Sequence, residues 1–200
     1  MKIVGLDYSL TAFGVTELSV GPDLPWRMHC SVFEPKVKGL RRLDQLVELV
    51  EESADGAYVV VYESPAWGAQ GNTFHQTAGG WWIVRHTLHR LGALVVEVNP
   101  TQVKQYALGK GSGKGTGKDA VIAAVVRRYP RFTADDNNAA DALVLAALAA
   151  RRLGHPIEDT LPLTHLRALD AVTWPGDWPA PNEIANIPAP EINHQEGTLL

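Results

Sequence analysis

The chain has 200 residues, 46% of them hydrophobic, which is enough for one sizeable core; a lone cysteine, Cys30, excludes an intramolecular disulfide framework. The net charge of −4 hides a division, because residues 1 to 154 hold 17 Lys+Arg against 15 Asp+Glu, whereas 155 to 200 hold one against seven. Nowhere do eighteen apolar residues run together, and "MKIVGLDYSL" lacks the apolar stretch of a signal peptide, so we expect no membrane association and a reducing, cytoplasmic setting with Cys30 as a small buried residue.

In chain order, "KIVGLDYS", "LTAFGVTELSV" and "WRMHCSVFEP" read as three strands joined by short turns, an antiparallel meander. Leu40, Leu43, Leu46, Val47 and Val50 recur at helical spacing. "YVVVYES" is a continuous β-branched run of the kind that a doubly buried strand shows. A helix over 73 to 91 and a strand "ALVVEVNP" follow, the latter ended by Pro100. Then come a short helix "PTQVKQYAL", a loop "GKGSGKGTGK", a helix "DAVIAAVVRRY" stopped at Pro130, and a helix "NAADALVLAALAARRLG" closed by Gly154. The order predicts a mixed α/β sheet, three strands antiparallel and two added parallel, with helices on both faces.

Beyond Gly154 the signal fades, since seven of thirteen prolines lie in the last 46 residues. We expect a domain over 1–154 and a Pro-rich acidic tail over 155–200, in which "LTHLRALDAV" forms one helix, Trp174 and Trp178 pack on the body, and disorder begins near Asn182.

Two acidic residues close two central strands: Asp7 ends the first and Glu63 ends "VVVY". An Asp at that place also caps turns, but a Glu on an apolar strand is costly without a charged partner. If the two strands are neighbours the carboxylates converge, and converging carboxylates repel unless a cation lies between them, which points to a divalent metal with hard oxygen ligands. Asp141 begins the apolar last helix, where it would also favour the helix dipole, and it completes a set of three carboxylates.

Between 102 and 131, Lys104, Lys110, Lys114, Lys118, Arg127, Arg128 and Arg131 face Asp119 alone. A local +6 suits a polyanion, the alternative being a solvated basic face. The glycine loop is no phosphate-binding P-loop, because the residues five before Gly109, Gly113 and Gly117 are Lys104, Leu108 and Ser112. It reads instead as a flexible cationic segment able to follow a sugar-phosphate backbone, with Lys110 and Lys114 as DNA contacts or mobile surface lysines and Lys104 and Lys118 better placed for a fixed role.

"GLDYSLTAFG", "VVVYESPAW", "NPTQVKQYALGKGSGKGTGKDAV" and "NNAADALVLAALAA" resemble, in order and spacing, the RuvC family of Holliday junction resolvases within the ribonuclease H-like superfamily, over roughly residues 1 to 152. The resemblance implies a ribonuclease H-like fold and a homodimer, bacterial or phage-encoded, that cuts four-way DNA junctions with two Mg²⁺ or Mn²⁺ ions per site, leaving symmetric nicks with 5′-phosphates. Carried over residue by residue, Asp7 corresponds to the carboxylate that bridges the metals, Glu63 to the second ligand and Asp141 to the helical one. Lys104 and Lys118 match the basic pair near the scissile phosphate, and Lys118 is expected to stabilise charge on the transition state. The stretch after Glu63 corresponds to the family's base-wedging aromatic, with Trp67 and Phe74 as candidates and core burial as the alternative.

The family usually has a second acid, or a histidine, three residues before the last carboxylate; here that residue is Asn138. Around a helix Asn137 and Asn138 lie about 40° and 60° from Asp141, but Asp136 and Asp135 lie about 140° and 120° away. Either Asn138 offers its amide oxygen as a neutral ligand, or the helix begins near Asn138 and Asp136 swings toward the metals from outside it. "DDNN" is also a good helix cap, so Asp136 or Asn137 has a structural role available, and Asp135 is expected to face solvent. Competing readings are a catalytically silent branched-DNA binder and an actin-like ATPase or sugar kinase. The latter repeats its first unit in a second domain, for which 200 residues leave no room.

Overall fold

The computed structural model describes residues 1–21, 25–65, 74–133 and 136–176. Its strands are β1 (Lys2–Asp7), β2 (Phe13–Ser19), β3 (Arg27–Phe33), β4 (Val59–Glu63) and β5 (Val95–Val98). The helices are α1 (Leu40–Ala54), α2 (Phe74–Arg90), α3 (Pro100–Leu108), α4 (Lys118–Arg128), α5 (Asn137–Arg152) and α6 (Leu163–Ala171). The predicted elements therefore all form, including the helix beyond Gly154.

The five strands make one sheet in the order β3-β2-β1-β4-β5, with β1 and β2 and then β2 and β3 antiparallel, and β1, β4 and β5 parallel. The turn from β1 to β2 is closed by Ser9, whose Oγ accepts from the backbone N–H groups of Thr11 and Ala12, both at 3.3 Å. Side chains alternate across the sheet. Val4, Leu6, Val60 and Tyr62 face a core shared with Leu46, Val50, Trp81, Val84 and Leu88 of α1 and α2. Ile3, Val59, Val61, Val96 and Val98 face the opposite core, built from α3, α4 and α5.

Helix α5 lies against the middle of the sheet, on β1 and β2, and sits unusually close. A Cβ at Gly5 would stand 2.0 Å from the Ala142 carbonyl oxygen, and one at Gly14 would stand 2.1 Å from that of Asn138. Only glycine on the strands, facing alanine-rich turns of the helix, permits such an approach. From Ala139 to Ala150 every α5 residue is buried except Asp141, which is half-buried.

The end of the described chain also packs on the body. Helix α6 runs along α3, with Gln102 donating to the Ala171 carbonyl. Trp174 donates through Nε1 to Leu169 O at 2.9 Å and lies beneath the Arg152 guanidinium, 5.6 Å from its ring centre. Trp178 and the expected disorder from Asn182 lie outside the described residues.

Candidate active site

Strand periodicity decides where the carboxylates go. Asp7 belongs to the Ile3–Gly5 face of β1 and Glu63 to the Val59–Val61 face of β4, so both point to the side that α5 covers. The parallel register pairs Leu6 with Tyr62, which brings Asp7 and Glu63 level one residue further, at the carboxyl ends of adjacent strands. Because α5 presses on Gly5 and Gly14, and Gly14 pairs with Asp7, the first turns of α5 sit over this point.

The groups act on one another. Burial, then the charge of Glu63, a hydrogen bond shared with Glu63 and the charge of Asp141 hold the Asp7 carboxyl well above the usual carboxylate range, against the pull of Lys118. Glu63 is raised by burial and drawn back by the Asp7 hydrogen bond, Lys104 and Lys118. Asp141 is pushed up to about 7, by burial first and Glu63 next, with Asp136 adding to the effect and Lys104 and Lys118 opposing it. Three carboxylates and two ammonium groups thus form one electrostatic unit, with Asp136 at its margin.

Each lysine is placed by a helix end. A capping box begins α3: Asn99 Oδ1 accepts from Thr101 N at 2.9 Å and Gln102 Oε1 accepts from Asn99 N at 2.7 Å, with Pro100 in the first turn. Lys104 follows one turn on. Lys118 is the first residue of α4, after Gly117. A cation there opposes the helix dipole, a cost that nearby carboxylates offset.

All the acidic donors are oxygens, the set preferred by a hard divalent cation. Among the described residues no three His, Cys, Asp or Glu side chains already surround a common point. Burial raises both the Asp7 and the Glu63 carboxyl, and a hydrogen bond between them raises Asp7 further. The donor chemistry and the excess of acids over lysines fit a divalent ion.

Asp136 and Asn138 separate cleanly. Asp136 is the N-cap of α5 with extended backbone, and its Oδ1 accepts from Asn138 N at 2.7 Å and Ala139 N at 3.4 Å. It thus lies outside the helix and fills the capping role that the sequence also offered, while its charge reaches Asp141. The Asn138 amide oxygen is engaged by Asn137 Nδ2 at 2.8 Å. Asp135 lies outside the described residues, as does Trp67. Phe74 is half-buried at the start of α2, edge-on to His75.

The glycine loop has internal bonds. Lys110 Nζ donates to Lys114 O at 2.6 Å and Thr116 Oγ1 to Gly113 O at 2.8 Å, while Lys114 and Lys118 are exposed. Sequence reasoning missed Trp81, whose Nε1 donates to the Glu63 carbonyl at 2.9 Å and whose ring stacks on Tyr62 at 5.3 Å. The Trp81–Trp82 doublet was the available signal, one ring buried and the other 57% exposed.

No protein-family model and no curated protein matches the chain. Solved structures do. RuvC of Thermus thermophilus superposes with a TM-score of 0.60 at 21% identity, covering 78% of this chain and 98% of RuvC. The same protein in complex with a Holliday junction substrate gives 0.61 at 23%, covering 80% and 99%. The Fowlpox virus resolvase, solved with its substrate Holliday junction DNA, gives 0.55 at 11%, covering 76% and 99%. The chain thus has the ribonuclease H-like fold of RuvC, as its mixed five-stranded sheet already indicated.

Proposed function

We propose that this protein is a metal-dependent, structure-specific endonuclease that resolves four-way DNA junctions, acting as a homodimer whose two sites make paired symmetric nicks. The observation that carries the reading is the coupled cluster of Asp7, Glu63 and Asp141 beside Lys104 and Lys118, at the strand ends of a fold solved elsewhere with junction DNA.

Asp7, Glu63 and Asp141 would hold Mg²⁺ or Mn²⁺, two ions per site, with Asp136 as the fourth carboxylate. When bound, the ions supply a water activated for attack on the phosphodiester and a counter-charge for the departing 3′-oxygen. The residues do the rest. Asp7 is buried and Glu63 half-buried, which limits the bulk water that competes for their oxygens, and the α5 backbone holds Asp141 in place over them. Lys118 and Lys104 lie where a phosphate approaching the carboxylates needs positive charge, and Lys118 stabilises the extra negative charge of the transition state. No side chain need become covalently attached, and the product ends are a 5′-phosphate and a 3′-hydroxyl. Lys110 and Lys114 follow the backbone further from the cut, and Phe74 or Trp67 wedges the bases.

Labelled four-way junctions incubated with and without Mg²⁺ test this. Symmetric metal-dependent nicks are expected from the wild type and none from Asp7→Asn. Tight junction binding without nicking would replace the nuclease by a silent branched-DNA binder.

A further inference from the structure

The segment beyond α5 is fastened to the part of the molecule that carries the lysines. Arg151 Nε donates to Tyr106 Oη and Glu158 Oε1, both at 3.1 Å, and Tyr106 Oη donates to Glu158, whose side chain is fully buried. Arg128 donates to the carbonyls of Tyr106 at 3.1 Å and Ala107 at 2.9 Å. His165 Nδ1 lies 2.8 Å from that same Tyr106 carbonyl. Arg128 Nη2 lies 3.3 Å from the same Nδ1; with the ring proton on Nδ1 the imidazole donates to the Tyr106 carbonyl, the shorter of the two contacts.

The contacts converge on the point where α3 passes into the glycine loop. Gly109 ends α3 with φ +77°, and a Cβ there would stand 2.9 Å from His165 Nε2 and 3.0 Å from Thr164 Oγ1. Gln105 Nε2 donates to the Gly109 carbonyl at 2.7 Å and also to the Thr164 carbonyl, tying loop base and α6 through one amide. Lys104 precedes Gln105 on α3, and Lys110 follows Gly109.

We infer that α6 is a positioning element of the cutting site: His165 and Gln105 clamp the α3–loop junction, and thereby set where Lys104 and the loop lysines stand relative to the carboxylates. The inference rests on the nuclease reading above. His165 touches none of the carboxylates and acts through the backbone it holds. A free loop base lets the lysines sample positions away from the phosphate, and misplacing a charged group by a fraction of its contact distance is costly in rate.

The test uses the full chain and two readouts. Amide hydrogen exchange over 109–117 is measured without DNA, and single-turnover cleavage of a four-way junction is measured with Mg²⁺ at saturating protein, so that affinity drops out. His165→Ala is expected to speed exchange in the loop and to lower the saturated rate by about tenfold. His165→Asn, which keeps a donor near the Nδ1 position, recovers most of both. Gln105→Met, which removes the amide at similar volume, is expected to reproduce the His165→Ala pattern if that variant folds poorly. Unchanged loop exchange in both variants, or faster exchange with a wild-type saturated rate, overturns the inference. A wild-type protein that leaves junctions uncut overturns the nuclease reading and the positioning role with it, whereas faster exchange in His165→Ala would still establish the clamp.

Discussion

Gly14 on β2 lies directly beneath Asn138 on α5, so close that a Cβ would stand 2.1 Å from the Asn138 carbonyl oxygen. Since Gly14 pairs with Asp7 across the sheet, this contact sets how far the first turns of α5, and therefore Asp141, stand from the strand carboxylates. Gly14→Ala must lift that end of the helix. Overpacking of this kind costs about 1–3 kcal/mol, which lowers the melting temperature by roughly 2–4 °C for each kcal/mol in a chain of this size. If Asp141 is a metal ligand as proposed, junction cleavage should fall further than stability explains. Calorimetry beside a cleavage assay at 25 °C checks this, and an active Gly14→Ala protein would show that the α5 spacing is uncritical.

The fourth ligand is decided by three substitutions. Asp141→Asn is expected to abolish detectable cleavage. Asp136→Asn is the sharper test, because asparagine caps helices about as well as aspartate, so the fold should change by only a few tenths of a kcal/mol. Any loss of cleavage then reports the lost charge, and we expect at least about tenfold at low Mg²⁺, partly recovered at high Mg²⁺. Asn138→Ala should stay within a few-fold of wild type. A severe defect in Asn138→Ala together with a normal Asp136→Asn would transfer the role to the asparagine.

Much of this was legible in the sequence, and the residues show why. Apolar runs, helical spacing and the turn and cap residues between them marked the strands and helices, and an acid ending each of two apolar strands marked Asp7 and Glu63. The placement of Asp136 and Asn138 was undecidable there, because it turned on one residue of helix start, and a helical wheel places Asp136 on the wrong side unless it precedes the helix. Glu158 was invisible for a different reason. In an acidic, proline-rich stretch it reads as a solvated charge, and only the fold brings it 52 residues back to Tyr106. His165 is likewise found only through contacts across 37 and 59 residues.

Acidity controls the metal-free protein. Asp141 sits at about 7 instead of its ordinary 3.8, and Asp7 is also raised, so the folded protein holds protons that the unfolded chain has already lost. The stability these groups contribute is complete below about pH 4 and declines as pH rises through about 7. Without metal, the melting temperature should therefore fall between pH 5 and pH 8. Under the proposed metal binding, Mg²⁺ or Mn²⁺ should restore it at pH 8 and have little effect at pH 5, where protons occupy the carboxyls. Asp7→Asn should flatten the decline. A metal-free melting temperature that climbs steadily over this range would contradict the coupled-carboxylate picture.

Salt separates the loop lysines. Each phosphate neutralised contributes about 0.9 to the slope of log affinity against log salt. Lys114→Ala removes an exposed charge and leaves the Lys110 bond to the residue 114 carbonyl in place, so the slope should drop by about one. A flat salt response in the wild-type protein would count against DNA contact by this loop altogether.

Two truncations ask different questions of the C-terminal region. Ending the chain after Gly154 removes Glu158 together with Ile157, Leu161, Ala168 and Val172 of the core, which uncovers Tyr106 and the apolar face they pack on. That form should be poorly folded, and its failure to bind DNA would say nothing about the acidic residues. Ending it after Gly176 keeps the Glu158 network, α6 and Trp174, yet removes Asp177, Glu183, Glu191 and Glu196 with no lysine or arginine. If these acids compete with DNA for the lysine loop, the 1–176 protein binds four-way junctions more tightly than the full chain at low salt. The advantage shrinks as salt screens both contacts. Equal low-salt affinities for the two forms would remove competition as the role of the acidic end.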